Sequence, residues 1–271
     1  MPILNKDMTL CISLAARPSN IGTRFHNYLY DALNLNYVYK AFAPKDLAQA
    51  VAGIRGLGIR GAAVSMPYKE DVIAMIDVMD ASAAAIDSVN TIVNNDGVLT
   101  AYNTDYLAIA ELLATHKVPA DFTVLLRGSG GMAKAVAAAV RDAGLTHVSI
   151  VARNEEAGKA LAGLYGFGWL AEVGPATADL LINVTPLGMA GSEESSQSFD
   201  DATVAAAQIV FDVVALPSET PLIQAARAAG KPVITGAEVI AIQAAEQFVL
   251  YTGVRPSPEL VREASEFSRS Q

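Results

Sequence analysis

Residues 125–137 read LLRGSGGMAKAVA. A hydrophobic run, a glycine-rich turn and an alanine-rich helical stretch follow one another without a gap, which is the order of a strand, a tight turn and a helix. Gly128, Gly130 and Gly131 remove side chains where backbone must pass close to a pyrophosphate. A helix beginning near Met132, just past Ser129 and the glycines, aims its unpaired N–H groups at such an anion. Backbone, not a lysine, would then hold the phosphate. An ordinary tight βα turn has the same composition, so a second feature is needed.

The second feature is THVSIVARNEEAGKAL at 146–161. Thr146 to Ala152 alternates like a strand and runs into a helix start, which puts Arg153 at the tip of the second strand of a βαβ unit. Dinucleotide sites that take NAD carry an acidic residue at that tip for the ribose 2′-hydroxyl, whereas an arginine can pair bidentately with a 2′-phosphate. A cation there for structural reasons alone would oppose the positive end of the following helix. Together the two features predict a Rossmann-type dinucleotide unit, with NADP(H) favoured over NAD(H).

A chain of 271 residues with 52% hydrophobic content suffices for one large or two modest domains, and at that size it buries roughly three quarters of its unfolded surface. The net charge of −9 argues against a nucleic-acid partner, which would need clustered Lys and Arg. Cys11 is the only cysteine and lies in an apolar run, so it reads as core packing in a reducing compartment. The start MPILNKDM has no signal-peptide core, and charge interrupts the longer apolar stretches. A soluble cytoplasmic protein without a membrane partner is expected. Oligomeric state is not legible.

Apolar runs alternate with helical periodicity along the whole chain, the pattern of an α/β protein. Strands are predicted near 9–14, 37–43 and 60–65, with helices in GTRFHNYLYDAL and DLAQAVAGIR and a hairpin at NTIVNNDGVLTAY turning on Asp96-Gly97. A helix over Tyr106–His116 and a break at Lys117-Val118-Pro119 lead into strands near 122–127, 147–152, 180–184 and 209–214, with a short one near Val233. Helices over Gly236–Tyr251 and Pro258–Ser268 close the chain. The expected organisation is two α/β domains: residues 1–105 plus 236–271 as the substrate-binding catalytic domain, and 106–235 as the NADP-binding Rossmann domain.

The first unit holds the candidate chemistry. In RGAAVSMPYKED an apolar strand ends at Ser65, Pro67 is expected to open a helix, and Lys69 falls in its first turn. The positive end of that helix would disfavour the charged amine, which suits proton transfer. Asp105, in AYNTDYLAI, can act in the same chemistry or serve as the N-cap of the helix that follows. No metal is expected, because His26, His116 and His147 lack ligand spacing and Cys11 has no partner. No G-x-S-x-G elbow supports a serine hydrolase.

The segments SMPYK, VNTI, NTD, RGSGGMAKA, INVTPLGM and FDVVALPSETPLI, in that order, resemble the shikimate dehydrogenase family across nearly the whole chain. The likeness is closest to the divergent shikimate-dehydrogenase-like branch, because RPSNIGTRFHN stands where the family has S-x-S-P before HN. The resemblance implies that Lys69 and Asp105 are the catalytic pair beside the hydroxyl being oxidised. It implies substrate contacts from Ser65, Asn90 and Gln243, cofactor contacts from Gly128, Ser129, Gly130, Gly131 and Met132, and a 2′-phosphate contact from Arg153, although Ala152 and Asn154 replace that arginine's usual neighbours. The two family serines fall on Asn20 and Gly22, so carboxylate recognition is rebuilt with Ser19, Asn20 or Thr23. Ala215 replaces a family tyrosine and Glu238 a family glycine near the nicotinamide. The implied activity is NADP-dependent interconversion of shikimate, or a related cyclic hydroxy acid, and its 3-dehydro form. Quinate and an aminated shikimate remain alternative substrates, and a non-catalytic NADP-binding regulator an alternative class.

Overall fold

A computed structural model describes residues 4–270. The chain divides into two units, one running to Thr104 and resuming at Ala241, the other spanning Asp105–Ile240. In the first, β1 (Thr9–Leu14), α1 (Ile21–Ala32), β2 (Tyr37–Phe42), α2 (Leu47–Gly56) and β3 (Gly61–Val64) are followed by β4 (Val78–Met79), α3 (Ala81–Ala84) and the hairpin of β5 (Thr91–Asn95) and β6 (Val98–Tyr102). The hairpin turns on Asp96 and Gly97, whose φ angles of 51° and 91° are what a two-residue type I′ loop demands. The sheet order is β2-β1-β3-β5-β6-β4. Strands β1, β2 and β3 pair in parallel, whereas β5 runs antiparallel to both β3 and β6.

This sheet is apolar on both faces, as the alternation of Cys11 and Ile12 shows. Ile12 packs with Leu14, Val51, Ile54 and Ile92 on one side, and Cys11 packs with Phe25, Tyr30, Tyr39, Phe248 and Tyr251 on the other.

Helix α4 (Thr104–Thr115) begins on the last residue of the first unit's opening segment and belongs otherwise to the second, which continues through β7 (Thr123–Arg127), α5 (Gly131–Asp142), β8 (His147–Val151), α6 (Glu155–Tyr165), β9 (Gly168–Leu170), β10 (Leu180–Asn183), α7 (Asp201–Ala206), β11 (Ile209–Asp212), α8 (Pro221–Ala228) and β12 (Val233–Thr235). Its strands lie in the order β12-β11-β10-β7-β8-β9, every pairing parallel. The chain therefore starts at the middle of the sheet and winds out both ways, the Rossmann order. Local chemistry sets the helix ends: Asn154 and Thr220 accept from Ala157 N and Ile223 N, Pro221 occupies a first-turn position, and Gly166 closes α6 at φ 72°. Helix α9 (Gly236–Thr252) carries the chain back to the first unit, where α10 (Pro258–Arg269) follows. No helix among the described residues is long and apolar enough to cross a membrane.

Candidate active site

The topology of the first sheet gathers four chain segments along the edge formed by the ends of its inner strands. β1 and β3 are parallel and end there, β5 starts there, and β6 returns there, with Thr91 opposite both Ala63 and Tyr102. Backbone hydrogen bonds stitch the segments together: Ser65 N donates to Leu14 O at 2.9 Å, Ala16 N to Met66 O at 3.3 Å, and Val89 N to Lys69 O at 2.8 Å. The loop carrying Ser19 and Asn20, the loop carrying Ser65 and Lys69, and the segment leading to Asn90 are thus held side by side.

No helix opens at Pro67, contrary to the sequence expectation. Residues 66–72 form turns, followed by a single 3₁₀ turn at Ile73–Met75. The local signal of a proline at a first helical position is overridden because the Lys69 carbonyl is claimed by Val89 N rather than by a following turn. The helix-dipole argument for Lys69 therefore has no support. Its side chain is half-buried, and Ser65 is exposed.

Asn90 is buried, 2% exposed, and organises this edge. Its Oδ1 accepts from Thr91 Oγ1 and from Thr104 N, both at 2.8 Å, and its Nδ2 donates to Thr104 Oγ1 at 3.0 Å. One amide thereby grips the first residue of α4. Asp105 is the next residue, in the first helical turn and 5% exposed. It lies inside the helix and not at its N-cap.

Gln243, in α9, is half-buried. One turn further along, Gln247 is 4% exposed and donates to Thr91 Oγ1 at 3.0 Å and Asn90 O at 3.3 Å. The sequence reading missed Gln247, since nothing in the helix sequence set it apart from Gln243 and Glu246, the other polar residues nearby. At the other loop Ser19 Oγ accepts from Ile21 N at 3.4 Å, while the Asn20 side chain makes no capping bond.

In the second unit the glycine turn has the form that a pyrophosphate needs. Gly128 sits at φ 128°, and a Cβ there would lie 2.6 Å from Val184 Cγ2, so only glycine fits. Gly130 and Gly131 face open space. Gly130 is the N-cap of α5 and makes no side-chain cap bond, which leaves the first N–H groups of a twelve-residue helix, with Met132 in its first turn, free of a side-chain cap. These residues fit the diphosphate of a dinucleotide. Arg153 lies two residues beyond β8, exposed, directly before the Asn154 cap of α6.

The loops leaving β10 and β11 are bound to each other through buried polar groups. Asn183 Nδ2 donates to Asp212 Oδ1 at 2.9 Å, and Asp212 also accepts from Thr220 Oγ1 at 2.7 Å and Val214 N at 3.0 Å. Burial raises the Asp212 pKa above the usual carboxylate range, against these three donors. Glu238 Oε2 accepts from Thr235 N at 2.8 Å and Thr235 Oγ1 at 2.7 Å. With Glu238 N donating to Thr235 Oγ1 at 3.4 Å, the pair forms a capping box that starts α9. A glycine could not supply that carboxylate.

A family model for the shikimate dehydrogenase substrate binding domain matches residues 20–92. A shikimate dehydrogenase-like protein of Haemophilus influenzae is 52% identical over 270 residues, which is 99% of this chain and 100% of that protein. The solved structure of a shikimate 5-dehydrogenase-like protein superposes with a TM-score of 0.97 at 52% identity, covering 99% of this chain and 100% of that one. A shikimate 5-dehydrogenase of Thermus thermophilus, solved in complex with NADP(H) and shikimate, gives 0.86 at 28% identity, covering 96% of this chain and 100% of that one. Sharing more than half its residues with a relative over the whole length of that relative, the chain belongs to the shikimate dehydrogenase family.

Proposed function

We propose that this chain is an NADP-dependent oxidoreductase that interconverts shikimate, or a closely related cyclic hydroxy acid, and its 3-dehydro form. The observation that carries the reading is the Asn90 clamp: it grips Thr104, the residue before Asp105, at the same sheet edge where Val89 N holds the Lys69 carbonyl. Lys69 and Asp105 are the groups assigned to hold the hydroxyl proton at the oxygen being oxidised. Ser65, Asn90 and Gln243, with Ser19 and Asn20 in place of the family serines, are assigned to orient the ring and its carboxylate, where errors near 1 Å cost about a hundredfold in rate. Backbone at Gly128–Met132 receives the diphosphate and Arg153 the 2′-phosphate. When bound, the nicotinamide exchanges the hydride at its C4. The site is expected to work in the cytoplasm.

The test is to mix purified protein, NADP+ and shikimate and follow NADPH absorbance, with quinate and an aminated shikimate as competing substrates. Lys69→Ala and Lys69→Met should each lower kcat by on the order of 10²–10⁴ while KM changes much less. Met keeps the stem and removes only the amine, so equal losses point to chemistry rather than packing. Both variants turning over at the parent rate would remove Lys69 from the mechanism, whereas a parent that binds NADP+ but turns over none of these substrates would favour the non-catalytic reading.

A further inference from the structure

A guanidinium at the carboxyl end of β7 makes no hydrogen bond or ion pair within the described fold. Arg127 is the last residue of β7 and stands in register with Val151, two residues before Arg153. It is half-buried, and its charged form is disfavoured first by that burial and then by Arg153 nearby. Among the described residues the Arg127 side chain makes no hydrogen bond or ion pair, although its backbone carbonyl accepts from Val184 N at 2.9 Å. Its guanidinium lies over the Phe199 ring at 6.0 Å, the outer limit for a cation–π contact.

Space adjoins it. A cavity of about 570 Å³ is lined by Arg127, Val173, Ser198, Phe199, Asp200 and Asp201, among others. Neither carboxylate forms an ion pair with Arg127: Asp200 Oδ1 accepts from Thr203 N at 2.7 Å, and Asp201 Oδ1 from Gln197 Nε2 at 2.8 Å. The Ser198 hydroxyl in the same lining is buried without a partner. The positive charges of Arg127 and Arg153 repel each other, and a dianion bound beside both would relieve that repulsion.

Arg153 also lacks help from its own loop, because Asn154 Oδ1 is spent on Ala157 N at 3.1 Å and Ala152 has no polar side chain. We propose that Arg127 acts with Arg153 as a second guanidinium for the 2′-phosphate of NADP, and that selectivity for the phosphorylated dinucleotide rests on this pair from adjacent strands. Two planar forks suit a phosphomonoester dianion, and the half-buried member is the less screened by salt. The inference rests on the NADP reading above.

The experiment is calorimetric binding of NADP+ and NAD+ to the parent, Arg127→Met, Arg127→Lys and Arg153→Met, with melting of each unliganded protein. Arg127→Met should weaken NADP+ binding by about tenfold or more, the scale of one charge-assisted contact, and leave NAD+ within about twofold. Arg127→Lys should recover part of the loss. Unliganded Arg127→Met should melt no lower than the parent, since it removes an unpaired charge and keeps the apolar stem. An unchanged NADP+ to NAD+ affinity ratio in Arg127→Met overturns the proposal. If Arg153→Met lowers that ratio all the same, the NADP reading survives without it, and if neither variant moves the ratio, both fall.

Discussion

Replacing His26 should remove much of the acid sensitivity of the first unit. His26 lies on α1, 1% exposed, stacked on Tyr39 at 4.4 Å and edge-on to Phe25 at 5.5 Å, with Tyr251 at 5.7 Å and Phe248 at 6.3 Å. Burial pushes its pKa down to about 3, offset in part by the Gln247 amide. The other titratable groups in this cluster stay neutral in acid, because burial raises Cys11 to about 12 and lifts Tyr30, Tyr39 and Tyr251 as well.

The folded value lies below the unfolded one of about 6.5, so between those limits the unfolded chain binds the extra proton. Stability therefore falls as pH drops through that window. At pH 4.5 the unfolded imidazole has gained about two pKa units of protonation free energy that the folded one has not, or about 2.7 kcal/mol, against almost nothing at pH 7. With a urea slope of about 2 kcal/mol/M, the midpoint should move by a little over 1 M between the two pH values. Asp77, Asp179 and Asp200, whose carboxyls are held low by hydrogen bonds, first by Arg55, Thr123 and Thr203 respectively, titrate below that pH and are common to every variant. His26→Leu should lose most of the shift. Urea melts of parent and variant by far-UV circular dichroism test this, with the single tryptophan, Trp169 in the second unit, as an internal control. An acid shift as large in His26→Leu as in the parent would refute the assignment.

Gly158→Ala should destabilise by about 1–3 kcal/mol, because the new Cβ would stand 2.5 Å from Trp169 Nε1 and 2.8 Å from Ala152 Cβ. Trp169 emission should shift with it, since its indole N–H donates to Ala152 O at 3.2 Å, and an unmoved melt and spectrum would mean that α6 can slide away from β9. Gln247→Glu keeps the shape but removes the amide donor to Thr91 and Asn90; it should cost about 1–3 kcal/mol and lower kcat through the Asn90 clamp. A chemical melt paired with steady-state kinetics checks both effects, and parent values for each would detach Gln247 from the site.

What could be read from the chain before any coordinates is divided by how local its cause is. The Asp96-Gly97 turn was legible because positive φ at both residues is a property of two neighbours. The parallel sheet of the second unit was legible because the inner strands read as short apolar runs, Leu180–Ile182 and Ile209–Phe211 among them, and β8 as an alternation. β4, of two residues, and β9, of three, were not, since edge strands that short carry no alternation to recognise. Pro67 misled for the converse reason: its helix-start signal is local, but the partner that overrides it, Val89, bonds the Lys69 carbonyl from twenty residues further along. The capping box of Thr235 and Glu238 was present as T-x-x-E, yet comparison with the family pattern made Glu238 look like a lost glycine when it is the gained carboxylate that starts α9. Arg127 passed unremarked for the same kind of reason. In LLRGSGG the glycines draw the eye, and a cation closing a strand otherwise buried on both faces is the stranger choice. A side chain so placed is satisfied by a carboxylate within the fold, by an aromatic face or by an anion from outside. Among the described residues no carboxylate forms an ion pair with it and the Phe199 ring lies at 6.0 Å, the outer limit of contact, and that directs the next experiment to the ligand.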